Sequence, residues 1–113
     1  HHIALRTRDL AALVDFYRRW LGVSVLRDQR PRSVWLDLAG GAVLMIEAAD
    51  EAEPQPPAGG LDLLAFRLPA ADFEATRLRL EGAGLLESRT EQTLYFRDPD
   101  GRRLGLSCFP LRA

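Results

Sequence analysis

The chain repeats itself, and that constrains its fold more than any single motif does. His2-Ile3-Ala4-Leu5-Arg6 is echoed sixty-one residues later by Leu63-Leu64-Ala65-Phe66-Arg67. Trp35-Leu36-Asp37-Leu38-Ala39-Gly40-Gly41 is echoed at a spacing of sixty by Tyr95-Phe96-Arg97-Asp98-Pro99-Asp100-Gly101. A fixed period means one unit written twice, so the 113 residues read as two similar halves of about fifty residues each.

Within the first half, His2 to Arg8 alternates, with Ile3, Leu5 and Thr7 on one side and His2, Ala4, Arg6 and Arg8 on the other. That is strand periodicity. Asp9 is placed to cap a helix, in which Leu10, Leu13, Phe16, Tyr17, Trp20 and Leu21 recur at three- and four-residue steps. Gly22 ends it. Three short strands follow, at Val23 to Arg27, Ser33 to Leu38 and Ala42 to Glu47, with Gly40-Gly41 turning the last hairpin.

The second half keeps this order. A strand at Leu61 to Leu68 leads through a bend to an Asp72-capped helix bearing Phe73, Thr76, Arg77 and Leu80, closed by Gly82 and Gly84. Strands near Leu85 to Glu87, Gln92 to Arg97 and Arg102 to Cys108 complete it, the last two joined by an Asp98-Pro99-Asp100-Gly101 turn. Between the halves, residues 49–60 are acidic, rich in proline and without apolar periodicity, which reads as an extended, solvated linker. The expectation is an α+β chain: module one at 1–48, the linker, and module two at 61–113.

Composition excludes several roles. Fifteen basic residues against sixteen acidic ones leave a net charge of -1, which argues against nucleic acid as a partner. No apolar run approaches the ~20 residues of a membrane span, and nothing at the start looks like a secretory leader. All fifteen basic residues are arginine, so lysine chemistry is unavailable; this bias suggests a GC-rich bacterial genome. Cys108 is the only cysteine and cannot close an internal disulfide, which reads as a cytoplasmic protein.

Three segments resemble the vicinal oxygen chelate superfamily, which holds glyoxalase I, extradiol dioxygenases, bleomycin-resistance proteins and fosfomycin-resistance enzymes. They are His2 to Arg6 leading through Asp9-Leu10 to Phe16-Tyr17 and Leu21-Gly22; Leu64 to Leu68 with its Asp-capped helix; and Tyr95 to Gly101. The resemblance spans nearly the whole chain. It implies a single glyoxalase-like domain over 1–113, in which two βαβββ modules form a curled antiparallel sheet cup with helices outside. It also implies a homodimer.

The family's metal enzymes carry ligands at four positions. Here those positions hold His2, Leu63, Gly105, and either Met45 or, with a slip of two residues, Glu47. At best two donors survive, which does not close a transition-metal site. The expectation is therefore no cofactor, with a divalent metal possible but not expected.

Residues on the inward faces of strands become the candidate ligand-binding set: His2, Arg6, Trp35, Glu47, Arg67 and Tyr95. Arg6 sits where glyoxalase I contacts a substrate carboxylate, and Tyr95 where fosfomycin-resistance enzymes place a substrate-contacting tyrosine. Each has a plainer reading. The arginines would neutralise Asp37 or Glu47, the aromatic residues would be core, Glu47 would sit on the rim, and His2 would be satisfied near a chain end.

The function expected is a small-molecule-binding protein with a cup suited to an anionic or aromatic ligand and an incomplete metal site. The alternative is a metal-dependent lyase, isomerase or dioxygenase of the glyoxalase type, so enzymatic activity is left open, and no catalytic residue is assigned.

Overall fold

The computed structural model describes residues 1–57 and 59–111; Ala58 in the linker and Arg112 and Ala113 at the end of module two lie outside the described residues. The elements are β1 (His2–Thr7), α1 (Leu10–Leu21), β2 (Val25–Gln29), β3 (Ser33–Asp37) and β4 (Val43–Ala48). They continue as β5 (Leu63–Arg67), a 3-10 turn (Ala70–Asp72), α2 (Phe73–Gly82), β6 (Ser88–Arg89), β7 (Thr93–Arg97) and β8 (Arg103–Ser107). This is the α+β order strand, helix, three strands, written twice. Two compact units result, His1–Gln55 and Pro56–Ala113.

Each unit has its own four-stranded sheet, ordered β1-β4-β3-β2 in unit one and β5-β8-β7-β6 in unit two. The three later strands of each form an antiparallel meander, while the first strand joins in parallel, β1 beside β4 and β5 beside β8. The sheets are thus mixed rather than antiparallel throughout. A helix crossover between β1 and the meander is what permits the parallel pairing, because parallel neighbours need a long connection.

In unit one the closed face of the sheet carries Leu5, Val34, Leu36, Leu44 and Ile46, all buried. Helix α1 packs on β3 and β4 and buries Leu13, Val14, Tyr17 and Trp20. Its ends follow the local chemistry. The Asp9 carboxylate accepts the Ala12 N–H at 3.1 Å, and Gly22, at φ 65°, adopts the left-handed turn that closes the helix. Val14 belongs to this buried face although the expected stripe passes beside it.

Unit two repeats the closed face with Leu94, Phe96, Leu104 and Leu106, but its helix is held differently. Only Thr76 and Leu80 of α2 are buried. The Asp72 side chain does not cap it; the chain enters through the 3-10 turn, where the Asp72 N–H donates to the Pro69 carbonyl at 2.9 Å. On the exposed side Arg77 pairs with Glu74 and, at 2.7 Å, with Glu81. The strand expected at Leu85 starts later because the Leu85 N–H is spent on the Leu80 carbonyl, closing the helix.

The segment expected to be an extended linker is in part folded onto β1. The Ala49 N–H donates to the Thr7 carbonyl at 2.7 Å, the Glu53 N–H to the Asp50 carbonyl at 3.1 Å, and Arg8 donates to the Glu51 and Glu53 carbonyls. Composition correctly marked this stretch as polar and aperiodic. It did not reveal that Arg6 of β1 and Arg8 just after it offer donors to its carbonyls and carboxylate.

Candidate functional site

Strand register sorts the candidate residues by face. In unit one, Arg6 is opposite Glu47 and Glu47 opposite Ser33; Ala4 is opposite Met45 and Met45 opposite Trp35. His2 lies two residues before Ala4, opposite Val43. Directly paired residues share a face, so His2, Arg6, Trp35 and Glu47 all stand on the open face, away from α1. In unit two Arg67 is opposite Ser107 and Thr93 opposite Ser107, while Tyr95 is opposite Gly105. Arg67 and Tyr95 therefore share the open face of the second sheet.

Arg6 has two internal partners, Glu47, which the sequence offered, and Glu53, which it did not. Its Nε donates to Glu53 Oε1 at 2.5 Å and its terminal nitrogen to Glu53 Oε2 at 2.8 Å, a two-point pairing of guanidinium and carboxylate. Glu47 stands further off at 3.7 Å. The hydrogen bond from Arg6, with help from the Asp50 N–H, pulls the Glu53 carboxyl from its ordinary 4.5 down to about 2. The same bond holds the Arg6 guanidinium further above its usual range. No acidic residue of the repeat pattern predicted Glu53, since it lies in the stretch without periodicity.

Arg67 occupies the repeat-equivalent place with different surroundings. Its register partner is Ser107 where Arg6 has Glu47, and it has no ion pair among the described residues. It lines a cleft of about 880 Å³ together with the polar Thr93 and Ser107, Cys108, and the apolar Pro69 and Phe109.

Each open face also holds an arginine over an aromatic ring. The Arg27 guanidinium lies 5.3 Å from the Trp35 ring centroid and that of Arg103 lies 4.4 Å from Tyr95. The sequence reading missed both arginines. Strand alternation back from Gly105 would have found Arg103; Arg27 faces Trp35 only because the β2–β3 pairing shifts register between Val25 and Arg27. Trp35 is half-buried, and its indole Nε1 is shielded from solvent with no hydrogen-bond partner among the described residues. His2 is exposed and its Nδ1 lies 2.8 Å from that of His1.

Residues 1–106 match the family model described as Glyoxalase/Bleomycin resistance protein/Dioxygenase superfamily. Among solved structures, the chain is similar to a glyoxalase/dioxygenase from Nostoc punctiforme (24% identity, 98% of this chain and 90% of that chain covered, TM-score 0.81). It is similar to lactoylglutathione lyase from Agrobacterium tumefaciens (22% identity, 94% and 90% covered, TM-score 0.70). A third neighbour is a mutant of the fosfomycin resistance protein FosX from Listeria monocytogenes, complexed with Mn(II) and 1S,2S-dihydroxypropylphosphonic acid (17% identity, 98% and 92% covered, TM-score 0.73). At these identities the likeness is one of fold.

The FosX complex corrects the expectation of no cofactor, because the same fold there carries Mn(II). The expectation rested on counting one chain's donor side chains. An open metal site takes further oxygens from water or substrate, which such a count leaves out. Tested against this chain, the donors do not fit a protein-only site in unit one. His2 and Glu47 share a face but are offset by four residues in register, about 13 Å at 3.3 Å per residue. Among the described residues no three His, Cys, Asp or Glu side chains converge.

Proposed function

We propose that this chain, which belongs to the Glyoxalase/Bleomycin resistance protein/Dioxygenase superfamily, binds a small anionic or aromatic molecule at the open faces of its sheets. The residues that serve it are His2, Arg6, Trp35 and Glu47 in unit one, and Arg67 and Tyr95 in unit two. One observation supports this reading above the others. The Trp35 N–H is a hydrogen-bond donor shielded from solvent and left without an acceptor among the described residues, in a ring that lies under the Arg27 guanidinium. A buried donor without a partner costs free energy, and an anionic oxygen would satisfy it while meeting the cation.

Titration calorimetry with benzoate, a flat carboxylate, tests the reading. Trp35→Phe keeps an aromatic ring and removes only the donor, so benzoate affinity should fall about tenfold, the worth of one charge-assisted hydrogen bond. A folded Trp35→Phe protein with unchanged affinity would remove Trp35 from the site.

The second reading is a metal-dependent lyase, isomerase or dioxygenase. The Mn(II)-bound neighbour and the lyase neighbour favour it. Metal measured on dialysed protein separates the two: stoichiometric Mn, Ni, Zn or Fe supports the enzyme. A cytoplasmic homodimer completes the proposal, supported by the lone Cys108 and by exposed Ile3, Leu26 and Leu63. A monomeric mass by light scattering at tens of micromolar counts against the dimer.

A further inference from the structure

We propose that the cleft of unit two is a binding site for a monocarboxylate with an apolar tail, received by Arg67 and by the hydroxyl pair of Thr93 and Ser107. This rests on the open-face reading above and narrows its ligand for one module.

The charge comes first. Among the described residues, those lining the cleft include one guanidinium, that of Arg67, and no aspartate or glutamate. Arg67 is exposed and has no ion pair among the described residues. One uncompensated cation balances one negative charge, and a planar guanidinium fork matches a planar carboxylate.

Hydrogen-bond counting gives the second donor. Thr93 Oγ1 and Ser107 Oγ lie 2.8 Å apart, and the Phe109 N–H donates to Ser107 Oγ at 3.1 Å. The two hydroxyls own two O–H groups and spend one on each other. Whichever of them donates, one O–H is left over, and no acceptor for it exists among the described residues. Ser107 is the direct register partner of Arg67 on the same face, which brings the remaining O–H and the guanidinium within one carboxylate's reach.

The rest of the lining is apolar. Pro69, Phe109, Pro110 and Leu111 line the cleft together with the polar groups, and Phe109 and Leu111 are largely exposed. About 880 Å³ exceeds what a bare carboxylate fills, so an apolar tail is needed to remove these side chains from water.

The test uses hexanoate and its uncharged counterpart hexanamide on the full chain, followed by amide chemical shifts. Hexanoate is expected to perturb Arg67, Ser107, Cys108 and Phe109 and to bind about tenfold tighter than hexanamide. Arg67→Met should erase that difference, and Ser107→Ala should reduce it. Equal binding of the two probes to the unaltered protein, or hexanoate shifts confined to His2, Arg6 and Trp35, would overturn the proposal. The second result would leave the open-face reading standing, whereas benzoate binding that ignores Trp35 would remove Trp35 from the unit-one site and leave the unit-two site standing. Since the probe comparison and the shift map need no substitution, a variant that fails to fold leaves the test intact.

Discussion

Arg6 and Arg67 are the same residue in two copies of one unit, and they meet opposite fates. In unit one the register partner is Glu47, and Glu53 swings in to hold the guanidinium at two points. In unit two the register partner is Ser107, and the guanidinium is left facing a cleft. The closed faces did not diverge in this way. Val34, Leu36, Leu44 and Ile46 have buried counterparts in Leu94, Phe96, Leu104 and Leu106, each sixty residues on. A duplicated fold keeps its two cores alike because both must exclude water, while the open face is free to change charge.

The largest effects should fall where the copies agree. Ile46→Ala and Leu106→Ala each remove a buried branched side chain, at 0% and 2% exposure, and should each cost about 2–5 kcal/mol in urea unfolding. If one of them were nearly neutral, the cores would not be equivalent.

Next comes a substitution that gives unit two the pairing of unit one. Ser107→Glu places a carboxylate opposite Arg67, as Glu47 stands opposite Arg6. Hexanoate affinity should drop about tenfold or more, read by calorimetry, from lost attraction and added repulsion. Retained affinity would mean that the register partner does not decide what Arg67 can bind.

The smallest effect concerns the strap on unit one. Glu53 has its carboxyl lowered from 4.5 to about 2, so its contribution to stability is full above the ordinary value and is lost as pH falls toward about 2. Glu53→Gln should lower the melting temperature slightly at neutral pH and not at all near the acid end of that window. The gap between the two proteins should close as pH falls, and Arg6→Met should abolish it. The change is modest because both side chains are partly exposed, and exposed ion pairs are screened. A constant gap across the window would mean that Glu53 acts through packing rather than charge.

Much of this was legible in the residues alone. The repeat, the α+β order, the Asp9 and Gly22 ends of α1 and the shared face of His2, Arg6, Trp35 and Glu47 all follow from spacing that local backbone geometry enforces. A strand alternates and a helix turns every 3.6 residues whatever surrounds them. The register of one strand against the next is not local. Spacing could not reveal the parallel entry of β1, the shift that turns Arg27 onto Trp35, or the fold-back that hands Glu53 to Arg6.

The sequence by itself determined which residues the faces of β1, β3 and β4 and of their repeat mates would carry, because alternation is set within a few residues of chain. Strand β2, with its register shift, is the exception. Only the tertiary structure decided which charges on those faces are neutralised. Glu53 reaches Arg6 across forty-seven residues, and Ser107 lies beside Arg67 across forty. The strength of an ion pair depends on distance in space and exposure to water, and neither can be read from separation along the chain.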